Sequence, residues 1–188
     1  MIRAKFIAPV AIAAALGMSV VATASASAQT FKASATGNLV GKQTSNQVFE
    51  ASAGKAVTCT TAATKGEIEA LEASSQVVTV EYSGCSAFGF VSATVSKAEY
   101  DIHANGEVDV LNTIKISVPL GKCEVTVAPQ SKLGTVSFEN KSGKIEEKTA
   151  VTGITSTSTG SLCGTSGKEG KYTGSSLVEG PGTLEFIA

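Results

Sequence analysis

From Phe31 onward, apolar and polar residues alternate with a period of two, the spacing of strands that bury one face. Val78, Val80 and Tyr82 fall on one face, with Thr79, Glu81 and Ser83 on the other; Val57 and Cys59 also share a face, which directs Cys59 inward. Ile114, Ile116 and Val118 alternate with Thr113, Lys115 and Ser117, and after Pro119-Leu120-Gly121-Lys122 the alternation resumes at Cys123, Val125 and Val127. This is the pattern of a hairpin with a four-residue loop and Cys123 in the apolar row. Val136 and Phe138 mark a further strand, and Leu184 and Phe186 the last.

The alternation predicts strands near 39–50, 55–63, 66–73, 76–83, 90–96, 98–103, 107–118, 123–128, 134–139, 146–155, 170–178 and 182–187. So many short strands, separated by Gly, Ser, Asn or Lys turns and lacking helical periodicity, predict an all-β fold. The expected form is a two-layer antiparallel β-sandwich, jelly-roll or Ig-like, over a single domain at 29–188. No internal repeat or interior linker divides it. Gly160 to Gly170 is expected to be a surface loop tied down by Cys163.

One hairpin fixes its own register. With Ala104-Asn105-Gly106 as a three-residue loop and Gly106 in the left-handed position, Tyr100, Ile102, Val108 and Val110 face the core. Asp101, His103, Glu107 and Asp109 then face the other way, with His103 opposite Glu107 and Asp101 opposite Asp109. A two-residue Asn-Gly turn would instead mix apolar and charged rows. The four polar residues are the most concentrated constellation in the chain, a candidate weak divalent-cation site or acid/base pair. The competing reading is a solvated hairpin face with a His–Glu cross-strand pair.

Composition narrows the class. Hydrophobic residues make up 43% and charged residues 16%, too apolar and too weakly charged for disorder. Residues 1–28 combine a basic start (Arg3, Lys5), an apolar stretch from Phe6 to Ala22 and two small-x-small sites at Ala24-Ser25-Ala26 and Ala26-Ser27-Ala28. These are the parts of a signal peptide, so the mature chain is expected to be secreted, extracellular or associated with the cell envelope. It would keep thirteen lysines and no arginine against sixteen acids. A surface with no guanidinium and a mild acidic balance makes nucleic acid an unsuitable partner. No later stretch is long and apolar enough for a membrane span in the mature chain. Few aromatics and short strands argue against an outer-membrane barrel.

Cys59, Cys85, Cys123 and Cys163 all lie beyond the export segment. Four cysteines in an oxidising compartment predict two disulfides, and no Cys-x-x-Cys or Cys/His spacing suggests zinc. Spacing alone leaves three connectivities open. Cys59–Cys85 with Cys123–Cys163 is the expected choice because it keeps each closed loop moderate.

Chemistry is sparse. The single histidine, His103, sits near a hairpin tip, and no Gly-x-Ser-x-Gly elbow accompanies it, so no catalytic residue is assigned. Gly164-Thr165-Ser166-Gly167-Lys168 lacks the first glycine of a phosphate loop. Glycosidase chemistry needs only two carboxylates, for which Glu81, Glu107, Asp109 and Glu124 are candidates. Tyr82, Tyr100 and Tyr172 are the remaining candidates for a sugar platform, against a core role for each.

Several spaced fragments carry a resemblance: Val57-Thr58-Cys59, Tyr82-Ser83-Gly84-Cys85 with Ala87-Phe88-Gly89, Cys123-Glu124-Val125-Thr126-Val127 reaching Gln130, Val151-Thr152-Gly153-Ile154, Cys163-Gly164 and Lys171-Tyr172-Thr173-Gly174. Over most of residues 30–180 the chain resembles a group of secreted, cysteine-containing β-sandwich proteins of soil actinobacteria. The resemblance implies architecture and compartment and carries no catalytic or binding residue. Members of the group often have a further cysteine pair, near Ala98 and Leu111 in this numbering. Its joint absence here implies that the remaining four pair among themselves. The expectation is therefore a non-enzymatic binding or structural protein of the cell exterior, without cofactor, taking a glycan or protein ligand. The alternative is a secreted glycan hydrolase whose carboxylates meet only in the fold.

Overall fold

The computed structural model describes residues 28–51, 56–160 and 163–188. The expected export segment lies outside these residues, except for Ala28. Sixteen strands follow one another: β1 (Thr30–Ala33), β2 (Gly37–Glu50), β3 (Ala56–Ile68), β4 (Glu72–Ala73), β5 (Ser75–Ala87), β6 (Val91–Ser92), β7 (Thr94–Val95) and β8 (Ala98–His103). After them come β9 (Glu107–Val110), β10 (Ile114–Val118), β11 (Cys123–Val127), β12 (Gln130–Gly134), β13 (Val136–Lys141), β14 (Lys144–Thr159), β15 (Gly167–Glu179) and β16 (Leu184–Ile187). A 3₁₀ turn, Leu120–Lys122, separates β10 from β11. The fold is all-β, as the alternation predicts.

The main sheet runs β12-β9-β8-β5-β3-β2-β15-β14-β11-β10-β7, with antiparallel pairing between neighbours. It curls until two short corners join its ends to its middle. At one corner β12 pairs with β9 while β13, continuing directly from it, pairs with β14. At the other, β6 pairs with β5 while β7 pairs with β10. The expected sandwich is thus realised as curled antiparallel layers whose edges are closed by these corners, which leaves fewer strand edges unpaired.

The corners divide the interior into two cores that share the long strands β2, β3, β5, β14 and β15. Ring one, closed by β12 and β13, holds Leu39, Ile68, Val78, Val80, Tyr100, Ile102, Val108, Val110, Ile145, Val151 and Val178. Ring two, closed by β6 and β7, holds Phe49, Val57, Ile116, Val118, Val125 and all four cysteines. Tyr82 and Tyr172 touch both cores and mark a waist between them. A separate small sheet, β16-β1-β4, caps the far end of ring one. Phe31 on β1 meets Phe138 edge-on at 4.9 Å, and Phe138 packs on Phe186 at 5.1 Å.

The period of two does not survive the waist. On β3, Val57 and Cys59 point inward, then Ala62, Thr64 and Ile68; on β5, Val78 and Val80 point inward, then Cys85 and Ala87. Both strands therefore change their inward face, at Thr60-Thr61 and at Ser83-Gly84. Gly84 takes φ +62°, and the Thr60 hydroxyl donates to its carbonyl at 3.3 Å. On β14 the inward face changes between Val151 and Ile154, and the pairing of β2 with both neighbours shifts between residues 42 and 48. The register shifts of β2 and β14 are bulges, which increase local twist and re-aim side chains, whereas β3 and β5 keep their mutual register through the change of face.

Several boundaries differ from the sequence pattern. The strand expected at 66–73 is the end of β3 followed by a turn and the two-residue β4. The strand expected at 107–118 breaks at Leu111-Asn112-Thr113, because the Asn112 side chain accepts from Glu99 N and donates to Lys97 O. β1 and β12 were not anticipated. β15 begins at Gly167, inside the expected loop. The 119–122 hairpin and the three-residue Ala104-Asn105-Gly106 loop are as expected, with Val118 opposite Cys123 and Ile102 opposite Val108.

Both expected disulfides are present, Cys59–Cys85 and Cys123–Cys163. The first joins directly opposed residues of β3 and β5; the second ties the start of β11 to the approach to β15. Removing the first by Cys59→Ala with Cys85→Ala is expected to lower unfolding free energy by about 2–4 kcal/mol. Denaturant midpoints measure this, and an unchanged midpoint would contradict it.

Candidate ligand cavity

The polar hairpin face is built as its register requires, with Asp101, His103, Glu107 and Asp109 all on the outer side. His103 Nε2 lies 3.4 Å from Asp109 Oδ2 and 3.8 Å from Asp101 Oδ2. The expected His103–Glu107 pair does not form. Asn105 draws Glu107 to the turn, donating to its carboxylate at 3.2 Å and accepting from its backbone N–H at 3.0 Å. Asp109 Oδ1 is taken by the Lys132 N–H at 2.7 Å. Among the described residues no group of three or more His, Cys, Asp or Glu side chains is arranged to hold a metal ion.

The other carboxylate candidates are dispersed. Glu81 pairs with Lys65 at 3.3 Å on the surface, and Glu124 lies opposite Thr159 on the outer side of β11. An open groove of about 640 Å³ runs past Lys65, Glu67, Glu69 and Gln76, and none of its lining residues is aromatic. It offers no flat ring platform for a sugar.

The three tyrosines lie inside. Tyr82 OH is 3.0 Å from Tyr100 OH and 3.1 Å from Tyr172 OH, and Tyr172 OH donates to Gln47 Oε1 at 2.7 Å. The direction of the whole chain follows. Because the Tyr172 proton goes to Gln47, Tyr172 accepts from Tyr82, which accepts from Tyr100. Gln47, 2% exposed, uses its amide nitrogen toward Ser175 O at 3.2 Å and Ser45 O at 3.4 Å. Burial pushes the Tyr100 phenol up to about 12 and raises Tyr82 and Tyr172 well above the ordinary value, so all three stay protonated and the chain stays intact.

Gln47 reaches this position because β2 is irregular just before it, and because its cross-strand neighbour is small. A β-carbon at Gly174 would fall on Gln47 Oε1.

Beside this network, ring one encloses a cavity of about 70 Å³. Its wall is mostly apolar, including Val78, Val108, Val151 and Leu133, with Gln47, Thr64, Thr149, Ser176, Tyr100 and Tyr172 as polar points. One carboxyl also lines it, that of Glu147. The residue lies on β14 between Ile145 and Thr149, in the row that faces the core, opposite Phe138 on β13 and Ser176 on β15. Glu147 also lines a second cavity of about 40 Å³ under the cap, with Phe31, Lys32, Leu39, Ile68 and Leu184. It makes no hydrogen bond or ion pair among the described residues. Desolvation alone raises its carboxyl to about 7. The ionisable groups around the two cavities are Tyr100, Tyr172 and Lys32, the last with its ammonium 3.6 Å from Glu72.

No protein-family model, curated protein or solved structure matches this chain.

Sequence reasoning missed Glu147. In the run Glu146-Glu147-Lys148 a carboxylate is expected on the solvated face, and Glu146 meets that expectation with Lys141 and Lys148 at 3.8 and 3.6 Å. The available signal was parity, since Ile145, Glu147, Thr149 and Val151 form one row.

Two outcomes are expected. Gly174→Ala lowers stability by about 1–3 kcal/mol through overpacking, and it costs less in a Gln47→Ala background, where the colliding amide is gone. Additive losses in the double-mutant cycle would contradict the contact. Glu147 also imposes a pH dependence. Its folded pKa lies above the ordinary 4.5, so the folded state binds the extra proton between about pH 4.5 and 7. Its contribution is complete below that window and is lost as pH rises through it, by on the order of 3 kcal/mol. Lysine partners hold Glu139 and Glu179 below the ordinary range, and these act with opposite sign at acid pH. The difference between wild type and Glu147→Gln isolates the effect; parallel stability–pH curves would rule it out.

Proposed function

We propose that this is a secreted, non-enzymatic binding protein that holds a small, largely apolar molecule inside ring one. The observation that carries this reading is the Glu147 carboxyl, set without a protein partner in the wall of an apolar cavity. Burying such a group costs free energy, and a ligand that engages it recovers part of that cost. Two disulfides fit a chain that works in an oxidising exterior, and no helix among the described residues is long and apolar enough to cross a membrane. The outer faces of the long strands are rich in Lys, Glu, Thr and Ser while the interior is apolar. That polarity is opposite to the lipid-facing belt of a membrane barrel.

A hydrolase would need two carboxylates at one site. Glu147 is the single carboxylate among the described residues lining the ring-one cavity, Glu81, Glu107, Asp109 and Glu124 lie on outer faces, and the open groove that holds Glu67 and Glu69 has no aromatic platform for a sugar. Binding without covalent chemistry therefore has the stronger support.

Methyl-labelled protein should show shifts confined to Val78, Val108, Val151 and Leu133 when small organic fragments are added. Shifts scattered over the surface, or none at millimolar fragment, would overturn the reading.

A further inference from the structure

We propose that the molecule held in ring one is a small protonated amine, its ammonium paired with the Glu147 carboxylate and its carbon body against the apolar wall. This rests on the reading that the cavity holds a ligand at all.

Three features lead to this class. The first is charge. The residues lining the main cavity include one carboxylate and no Lys, Arg or His. Lys32 borders the smaller cavity, but its ammonium is engaged by Glu72 on the cap. The interior charge that lacks a counter-ion is therefore negative. The second is hydrogen-bond accounting. The phenolic protons run in one direction from Tyr100 to Gln47, and the Gln47 amide donates to two carbonyls, so these donors are already committed. The hydroxyls of Thr64, Thr149 and Ser176 rotate to donate or accept and do not discriminate. Glu147 has two oxygens that accept nothing, and the missing complement is an N–H donor.

The third feature is what other ligands would leave undone. A hydrocarbon would bury the carboxyl more deeply and leave it unpaired. An ether or carbonyl oxygen would need the protonated acid as donor, a form that dwindles above neutral pH. An ammonium supplies charge and donors together, and such charge-assisted contacts are stronger than neutral ones. Quaternary ammonium ions lack the N–H and do not meet this requirement. The cavity is smaller than the roughly 150 Å³ void that accommodates benzene, so the ligand has fewer than about six heavy atoms.

Below the carboxyl's titration, each amine bound must displace one proton from Glu147, which couples affinity to pH. The groups facing Glu147 do not obscure this coupling, because Tyr100 and Tyr172 stay protonated throughout and Lys32 is paired with Glu72 on the cap.

Three rings of nearly equal size test the proposal on the oxidised protein: pyrrolidine, tetrahydrofuran and cyclopentane, titrated into wild type and Glu147→Gln by calorimetry and methyl spectra at pH 5.5 and 8. Pyrrolidine is expected to bind wild type at pH 8 at least tenfold more tightly than the other two. That advantage should disappear in Glu147→Gln, and the affinity should fall about tenfold or more at pH 5.5 with proton release. Tighter binding of tetrahydrofuran, strongest at pH 5.5, would overturn the amine and make the protonated acid a donor, while the cavity reading would stand. Equal binding of cyclopentane would also overturn the amine and leave an apolar site. Binding of none of the three would remove the cavity reading and the amine together. The wild-type pH comparison decides the matter without the variant, should Glu147→Gln not fold.

Discussion

The constraint on which this architecture depends is geometric: five strands of 13 to 16 residues must line two closed rings in succession. A sheet that curls over such a length coils as it goes, and strict alternation would carry apolar side chains out of the second interior. The chain meets the constraint with changes of inward face at directly opposed positions of β3 and β5, a further one on β14, and an irregular stretch of β2. The bulges of β2 and β14 disturb their ladders and free polar groups. The Thr60 hydroxyl, the Gln47 amide and the three linked phenols satisfy groups at the waist, and the two hydrophobic cores are separated there.

Much of this was legible along the chain, and the illegible parts share a cause. The Tyr100–Val110 hairpin could be read to the residue because one register alone separates apolar from charged rows. The same logic located Cys59 and Cys123 inward. It failed where alternation changes phase within a continuous strand. Val80 and Tyr82 belong to one parity and Cys85 and Ala87 to the other, which resembles a strand end followed by a loop. The curled sheet in fact runs through to Ala87. Ring closure was hidden for another reason: β6, β7 and β12 are short corner segments whose pairing is set by distant strands rather than by their own pattern.

The candidate site was hidden for the same physical reason. Its polar members, Gln47, Thr64, Glu147 and Tyr172, come from four different strands and are brought together only by closure of ring one. The charged cluster most visible in sequence, around His103, lies on the outer face. There Asp109 is engaged by His103 and the Lys132 N–H and Glu107 by Asn105, so proximity in sequence carried little functional information. Within the cavity the position is reversed. The tyrosine chain is saturated and fixes the shape of the wall, while Glu147 is left with unused acceptor capacity.

The placement of the covalent cross-links reinforces this contrast. All four cysteines belong to the core of ring two, and neither disulfide crosses ring one. Ring one, with both cavities and the β16-β1-β4 cap, is held by apolar packing, backbone ladders and surface ion pairs such as Lys32–Glu72, which contribute little in water. Local opening requires the least free energy where cross-links and dense packing are absent. The half of the molecule that contains the Glu147 carboxyl is therefore the half without a covalent cross-link, and its cap is held by the Phe31, Phe138 and Phe186 contacts and by backbone pairing.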